Sequence, residues 1–116
     1  MDPTVVKDTI SVSALKALAH ELYGDVIKAV ADVRQGILGV GGEFHSEIER
    51  VLIEQYGAQR ADTWGINLLL EKTGDDFIEF DSMINLKPSL GNRTRDVEDE
   101  GVRTLIRAVV AKRVSS

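Results

Sequence analysis

The stretch Asp25-Val26-Ile27-Lys28-Ala29-Val30-Ala31-Asp32-Val33-Arg34, followed by Gln35-Gly36 and then Ile37-Leu38-Gly39-Val40-Gly41-Gly42, decides the fold. Its first ten residues are mostly small or β-branched apolar side chains, interrupted on one side by Lys28 and Asp32. That composition suits a well-buried strand rather than an amphipathic helix. Gln35-Gly36 has turn chemistry, and Ile37–Val40 returns as a second strand, so the unit reads as an antiparallel hairpin. Gly39, Gly41 and Gly42 then lead into a helix.

Working outward, each side repeats the theme. Upstream, Val12, Leu15, Leu18, Ala19 and Leu22 recur at helical spacing, which predicts a helix over 12–23, capped by Ser11 or Ser13 and ended by Gly24. Downstream, Phe44, Ile48, Val51 and Leu52 form the stripe of a helix over 43–56, and Gly57 stops it. Residues 63–70 alternate Trp64, Ile66, Leu68 and Leu70 against Gly65, Asn67 and Leu69. Thr73-Gly74-Asp75-Asp76 is a turn, and 77–86 reads as the partner strand. That strand turns Phe77, Glu79, Asp81, Met83, Asn85 and Lys87 toward an open sheet face. A polar loop over 87–95 precedes a last helix over 97–114, with Val102, Leu105, Ile106 and Val109 inward. Glu98, Asp99 and Glu100 in its first turn and Lys112 and Arg113 in its last suit the helix dipole. The expectation is a single α+β domain over residues 1–116, in the order α-ββ-α-ββ-α, with a mainly antiparallel sheet and helices packed on one face.

Composition bounds the function. The chain has 116 residues, 43% hydrophobic and 28% charged, which is enough for one core and too little for two ordinary domains. It has no cysteine, which excludes disulfides, thiolate metal sites and thiol nucleophiles and fits a reducing compartment. Met1-Asp2-Pro3-Thr4 has no basic-then-apolar leader, and no run is long and apolar enough to span a membrane, so a cytoplasmic location without membrane attachment is expected. On that expectation the Asn92-Arg93-Thr94 sequon carries no sugar. The net charge of −5 argues against nucleic acid, whose binding relies on a basic surface.

The motifs that carry chemistry are incomplete. Gly36 through Glu43 could cradle an anion at a helix start, yet a dinucleotide fingerprint needs glycine where Phe44 stands. A P-loop needs lysine where Glu43 stands, and Glu43 and Glu47 put negative charge there. No cofactor is therefore expected. His20 lies opposite its helix's apolar stripe and reads as solvated. His45, on the margin of its helix's apolar face, can meet Glu49 one turn on. The pair suits a general base with its carboxylate or a boundary histidine with an ion pair, and no local ligand set completes a metal site. Lys87, Arg93 and Arg95 bring positive charge to an acidic protein. They can clamp a carboxylate or phosphate, or pair with Asp96, Glu98, Asp99 and Glu100 downstream.

Taken together, Gly41-Gly42-Glu43-x-His45, Trp64-Gly65, Ile84-Asn85-Leu86-Lys87-Pro88 and Asn92-Arg93 give the chain its likeness: it resembles a family of small bacterial proteins of unknown function. The resemblance spans the first helix to the last. It implies a stand-alone cytosolic bacterial domain, and it carries no activity or site residue with it.

The leading functional expectation is a small-ligand or anion site formed by Gly41, Gly42, Glu43, His45, Trp64, Asn85, Lys87, Asn92 and Arg93, because these residues gather at element ends. Two others compete with it. One is a homodimeric interaction module using the open sheet face and an edge strand. The other is a hydrolase-like enzyme using His45 with Glu43 or Glu49.

Overall fold

The computed structural model describes residues 2–22 and 24–116. Met1 and Tyr23, the expected end of the first helix, lie outside the described residues.

The hairpin that opens the sequence reading forms the centre of the sheet. Strands β3 (Val26–Asp32) and β4 (Ile37–Val40) pair antiparallel, with Val30 opposite Gly39. On the other side of β3 runs β5 (Thr63–Leu69), with Val30 opposite Gly65. Two short strands complete the sheet, β1 (Thr4–Val6) against β4 and β6 (Ile78–Glu79) against β5. The order is β1-β4-β3-β5-β6, antiparallel throughout. A separate parallel pair joins β2 (Ile10–Ser11) to β7 (Val114–Ser115). The edge strand β1 and the β2–β7 pair are too short to leave a periodic signal in the sequence.

Alternation along β3 assigns the two faces. Ile27, Ala29 and Ala31 join Leu38, Val40, Ile66 and Leu68 in the larger core. Leu15 and Ala19 of α1 (Val12–His20) and Ile106, Val109 and Val110 of α3 (Glu100–Arg113) cover it. Val30 and Ile37 point the other way, into a smaller core with Ile48 and Leu52 of α2 (His45–Tyr56) and Ile84. The fold is thus α+β and mainly antiparallel as expected, but helices pack on both faces rather than one. The expected open face is occupied by α2, which lies close because Gly39 has no side chain: a β-carbon there would overlap the Ile48 methyl.

Two stripes and one helix start shift from their expected positions. Phe44 is 59% exposed, and α2 instead buries His45, Ile48, Glu49 and Leu52. The sheet beneath its first turns is polar there, presenting Asn67 and Thr63, so polar helix residues face it. Leu105 is 50% exposed and Val110 takes its place inward. Helix α3 starts three residues late, because Asn92 holds the approach: its Nδ2 donates to the Asp96 carbonyl at 2.7 Å and its Oδ1 accepts from the Glu98 N–H at 2.8 Å. Asp99 then caps the helix through the Val102 N–H.

Candidate functional site

The second hairpin departs most from its sequence reading, and its departure builds the site. Only Ile78 and Glu79 pair with β5. Beyond them the chain leaves the sheet, and Met83–Asn85 forms a 3₁₀ turn. The set expected on an open face is split: Met83 is exposed, whereas Asn85 and Lys87 are buried. Where strand β6 would have continued, the Asn85 carboxamide stands in for it. Its Oδ1 accepts from the Gly65 N–H at 2.8 Å, and its Nδ2 donates to the Gly65 carbonyl at 2.9 Å and to the Arg95 carbonyl at 3.0 Å. A side-chain amide thus replaces a peptide in the ladder and satisfies backbone groups that burial would leave orphaned.

From Asn85 the network runs on. Its carbonyl accepts from Asn92 Nδ2 at 2.7 Å, and Lys87 and Asn92 exchange backbone hydrogen bonds across an isolated bridge. These bonds close the loop 87–92 on itself and press Lys87 inward. Its stem is buried, its ammonium sits 5.2 Å from the centre of the Trp64 ring, and its Nζ donates to the Ile84 carbonyl at 3.0 Å. Burial pushes the Lys87 pKa down; the negative charge of Glu49 partly offsets this, and Arg60 adds to it.

His45 occupies another part of the α2 face. Its Nε2 lies 2.8 Å from the Ile66 carbonyl, which can only accept, so Nε2 carries the proton and Nδ1 the lone pair. Burial lowers its pKa and keeps the ring neutral at pH 7. The Ile66 carbonyl opposes that shift, the Lys28 charge adds to it, and Asn67 and Asp81 oppose it more weakly. The Asn67 Oδ1 is buried beside the ring without a hydrogen-bond partner, while its Nδ2 donates to Glu79 at 2.9 Å. Glu49 does not pair with His45: it accepts from the Thr63 hydroxyl at 2.7 Å.

The expected site residues therefore fall into three groups. Trp64, Asn85, Lys87 and Asn92 converge, and His45 joins them only through the backbone of β5. Gly41 and Gly42, at φ of 90° and 86°, turn the chain from β4 onto α2, with the Gly41 N–H donating to the Lys28 carbonyl at 3.1 Å. Glu43 and Arg93 are exposed, and the Arg93 N–H donates to Glu98 at 2.7 Å. Of the loop charges, Arg95 pairs with Asp81 at 2.7 Å rather than with the acidic run downstream. Among the described residues no group of histidines and carboxylates is placed to hold a metal. No helix among them is long and apolar enough to cross a membrane.

Lys87 opens onto a recess of about 240 Å³, whose other walls include Arg60, Ala61, Pro88 and Ser89. Residues 4–113 match the profile of a family described as a protein of unknown function, DUF5674. The chain belongs to the DUF5674 family. Neither the curated proteins nor the solved structures give a match. Within this DUF5674 domain, Lys87 is the expected site residue that lines this recess, and Arg60, which the sequence did not single out, joins it from the short 3₁₀ turn Arg60–Asp62 before β5. No local motif announces it. Its only signal was a lone arginine in a turn.

Proposed function

We propose that this DUF5674 domain binds a small oxyanion, a carboxylate or phosphate, in the recess between Arg60 and Lys87. One observation carries the reading. The Lys87 ammonium is buried without an ion pair within 4 Å among the described residues. A buried cation with one carbonyl partner is costly, since an ammonium has three donors and gains most from a formal negative charge. An anion in the recess supplies that charge. Arg60, whose guanidinium can offer a planar pair of donors, and Ser89 line the same recess. The loop that presents Lys87 is held by Asn92 and Asn85, so the donors are set before the ligand arrives.

Titrating ¹⁵N-labelled protein with inorganic phosphate and with acetate tests the reading. Saturable shifts at residues 60–61 and 86–90, lost in both Lys87→Met and Arg60→Ala, support it. Absence of saturable binding, or binding that survives both substitutions, overturns it.

A further inference from the structure

Lys87 is the one buried lysine among the described residues: it is 6% exposed, whereas Lys7, Lys16, Lys72 and Lys112 are exposed and Lys28 is half-buried. The surroundings of its nitrogen suit an ammonium poorly. An ammonium carries three N–H donors, yet Nζ has one hydrogen-bond acceptor among the described residues, the Ile84 carbonyl at 3.0 Å. The centre of the Trp64 ring lies 5.2 Å from the same atom.

One acceptor and one ring suit a different nitrogen cation. A protonated imine has a single N–H, which the Ile84 carbonyl can accept. Its charge is spread over a planar C=N group, which costs less to bury than a compact, strongly hydrated ammonium. The attraction of a cation to the Trp64 ring holds in either form.

The recess supplies the rest. Arg60 and Lys87 are the charged residues that line it, with no carboxylate among them. Glu49 is felt by Lys87 but stands outside that lining, where it accepts from the Thr63 hydroxyl at 2.7 Å. At about 240 Å³ the recess is smaller than the roughly 300–1,000 Å³ of drug-sized ligand sites, which limits an occupant to a few carbon atoms. An arginine recognises a carboxylate through two parallel N–H donors, and a neutral lysine amine adds to a carbonyl. Burial also pushes the Lys87 pKa down, so more of it is neutral amine at pH 7 than of an exposed lysine.

We propose that Lys87 captures a small 2-oxo acid as a covalent imine, with Arg60 on the carboxylate and Lys87 on the adjacent carbonyl. Such an acid is one case of the oxyanion assigned to this recess, and the capture rests on that reading. The Lys87 ammonium first releases a proton to solvent. Its lone pair then bonds the carbonyl carbon, and the C=O π pair moves to oxygen, which takes a proton from the nitrogen. A solvent proton on that oxygen lets it leave as water, and the nitrogen lone pair closes the C=N bond. Two hydrogens of the ammonium are thus exchanged for the imine bond, no oxidant or reductant is consumed, and water reverses the step.

Pyruvate with cyanoborohydride at pH 7 is the test, since hydride fixes the imine as a stable secondary amine. Adducts are located by intact mass and by peptide mapping of the parent protein. The expected result is a carboxyethyl group on Lys87, formed at least about tenfold faster than on Lys16 or Lys72. Acetone, a ketone without the carboxylate, should label Lys87 about tenfold more slowly. Arg60→Ala should slow pyruvate by a similar factor and leave acetone unchanged, and Lys87→Arg should lose the fast adduct. Labelling that is absent, or that spreads over the exposed lysines at the Lys87 rate, overturns the proposal. So does acetone labelling as fast as pyruvate, or Arg60→Ala labelling at the parent rate. Saturable phosphate and acetate shifts without the adduct would overturn the covalent step alone and leave the oxyanion reading standing.

Discussion

The Asn85 carboxamide and the Gly65 peptide exchange two hydrogen bonds, of 2.8 and 2.9 Å, so that one side chain occupies the place of a strand residue. The arrangement needs an amide, with an acceptor and a donor pointing along the same edge. Aspartate has the shape but not the donor. Asn85→Asp should leave the Gly65 and Arg95 carbonyls without their donor and bring a buried charge against them. Asn85→Ala should cost about 3 kcal/mol by urea denaturation, and Asn85→Asp at least as much at pH 7. An alanine variant as stable as the parent would show that the ladder closes without the carboxamide.

The same peptide makes a second demand. A β-carbon on Gly65 would overlap the Ser82 side chain and press on Ile84. Gly65→Ala should therefore lower stability by about 2 kcal/mol. Adding Ser82→Gly removes the main obstacle, so the double variant should be more stable than the sum of its two single changes. Additive losses in a double-mutant cycle would show that the overlap is not what excludes a side chain there.

Burial sets a direction for acid stability. The folded His45 has a pKa below the 6.5 of an unfolded histidine. Above that value both states hold a neutral ring and the residue contributes no pH dependence. As pH falls from 6.5 toward the folded pKa, the unfolded state takes up a proton that the folded state refuses, so stability falls. His45→Gln keeps a donor for the Ile66 carbonyl without a titrating ring. Its stability should change less with pH across that window, as read from denaturation midpoints at stepped pH.

Lys87 works in the opposite range. Its folded pKa lies below 10.5, so the cost of burying the ammonium is present in full below that folded pKa. It is relieved as pH rises from the folded pKa to 10.5. The parent protein should gain stability from this group across that alkaline window. Lys87→Met keeps the stem over Trp64 and removes the charge. At pH 7 without anion, it should be as stable as the parent or about 1 kcal/mol more so. Added phosphate should then raise the melting temperature of the parent but not of Lys87→Met. Equal phosphate stabilisation of both would separate the charge from the recess.

The central hairpin and the inward row Trp64, Ile66, Leu68 and Leu70 were legible because strand alternation is local and both faces are dry. The end of the second hairpin was not. Residues 77–86 alternate like a strand, but the pattern cannot show that Asn85 will use its side chain where backbone was expected. The face of α2 was misread at Phe44 for a related reason. A helix over a polar patch of sheet buries its polar residues, and nothing within the helix reveals what lies beneath it. In the candidate site, Lys87 and Trp64 stood out as a basic residue and an aromatic near element ends. Arg60 lies 27 residues before Lys87. A site assembled across such a separation leaves no spacing to read.

The parallel pairing of Ile10 with Val114 also bears on how the domain is made. Arg113 adds to that seam, donating to the Gly36 carbonyl of the central turn at 2.8 Å and to the Asp8 carbonyl at 3.2 Å. The last helical turn is thus a clasp on two segments synthesised long before it. The central hairpin can form early from neighbours in sequence, but the larger core stays uncovered until α3 has left the ribosome. Closure across more than a hundred residues is a late, entropically demanding step. Substitutions at Arg113 should therefore be felt more in the yield of soluble protein during translation than in the final folded state.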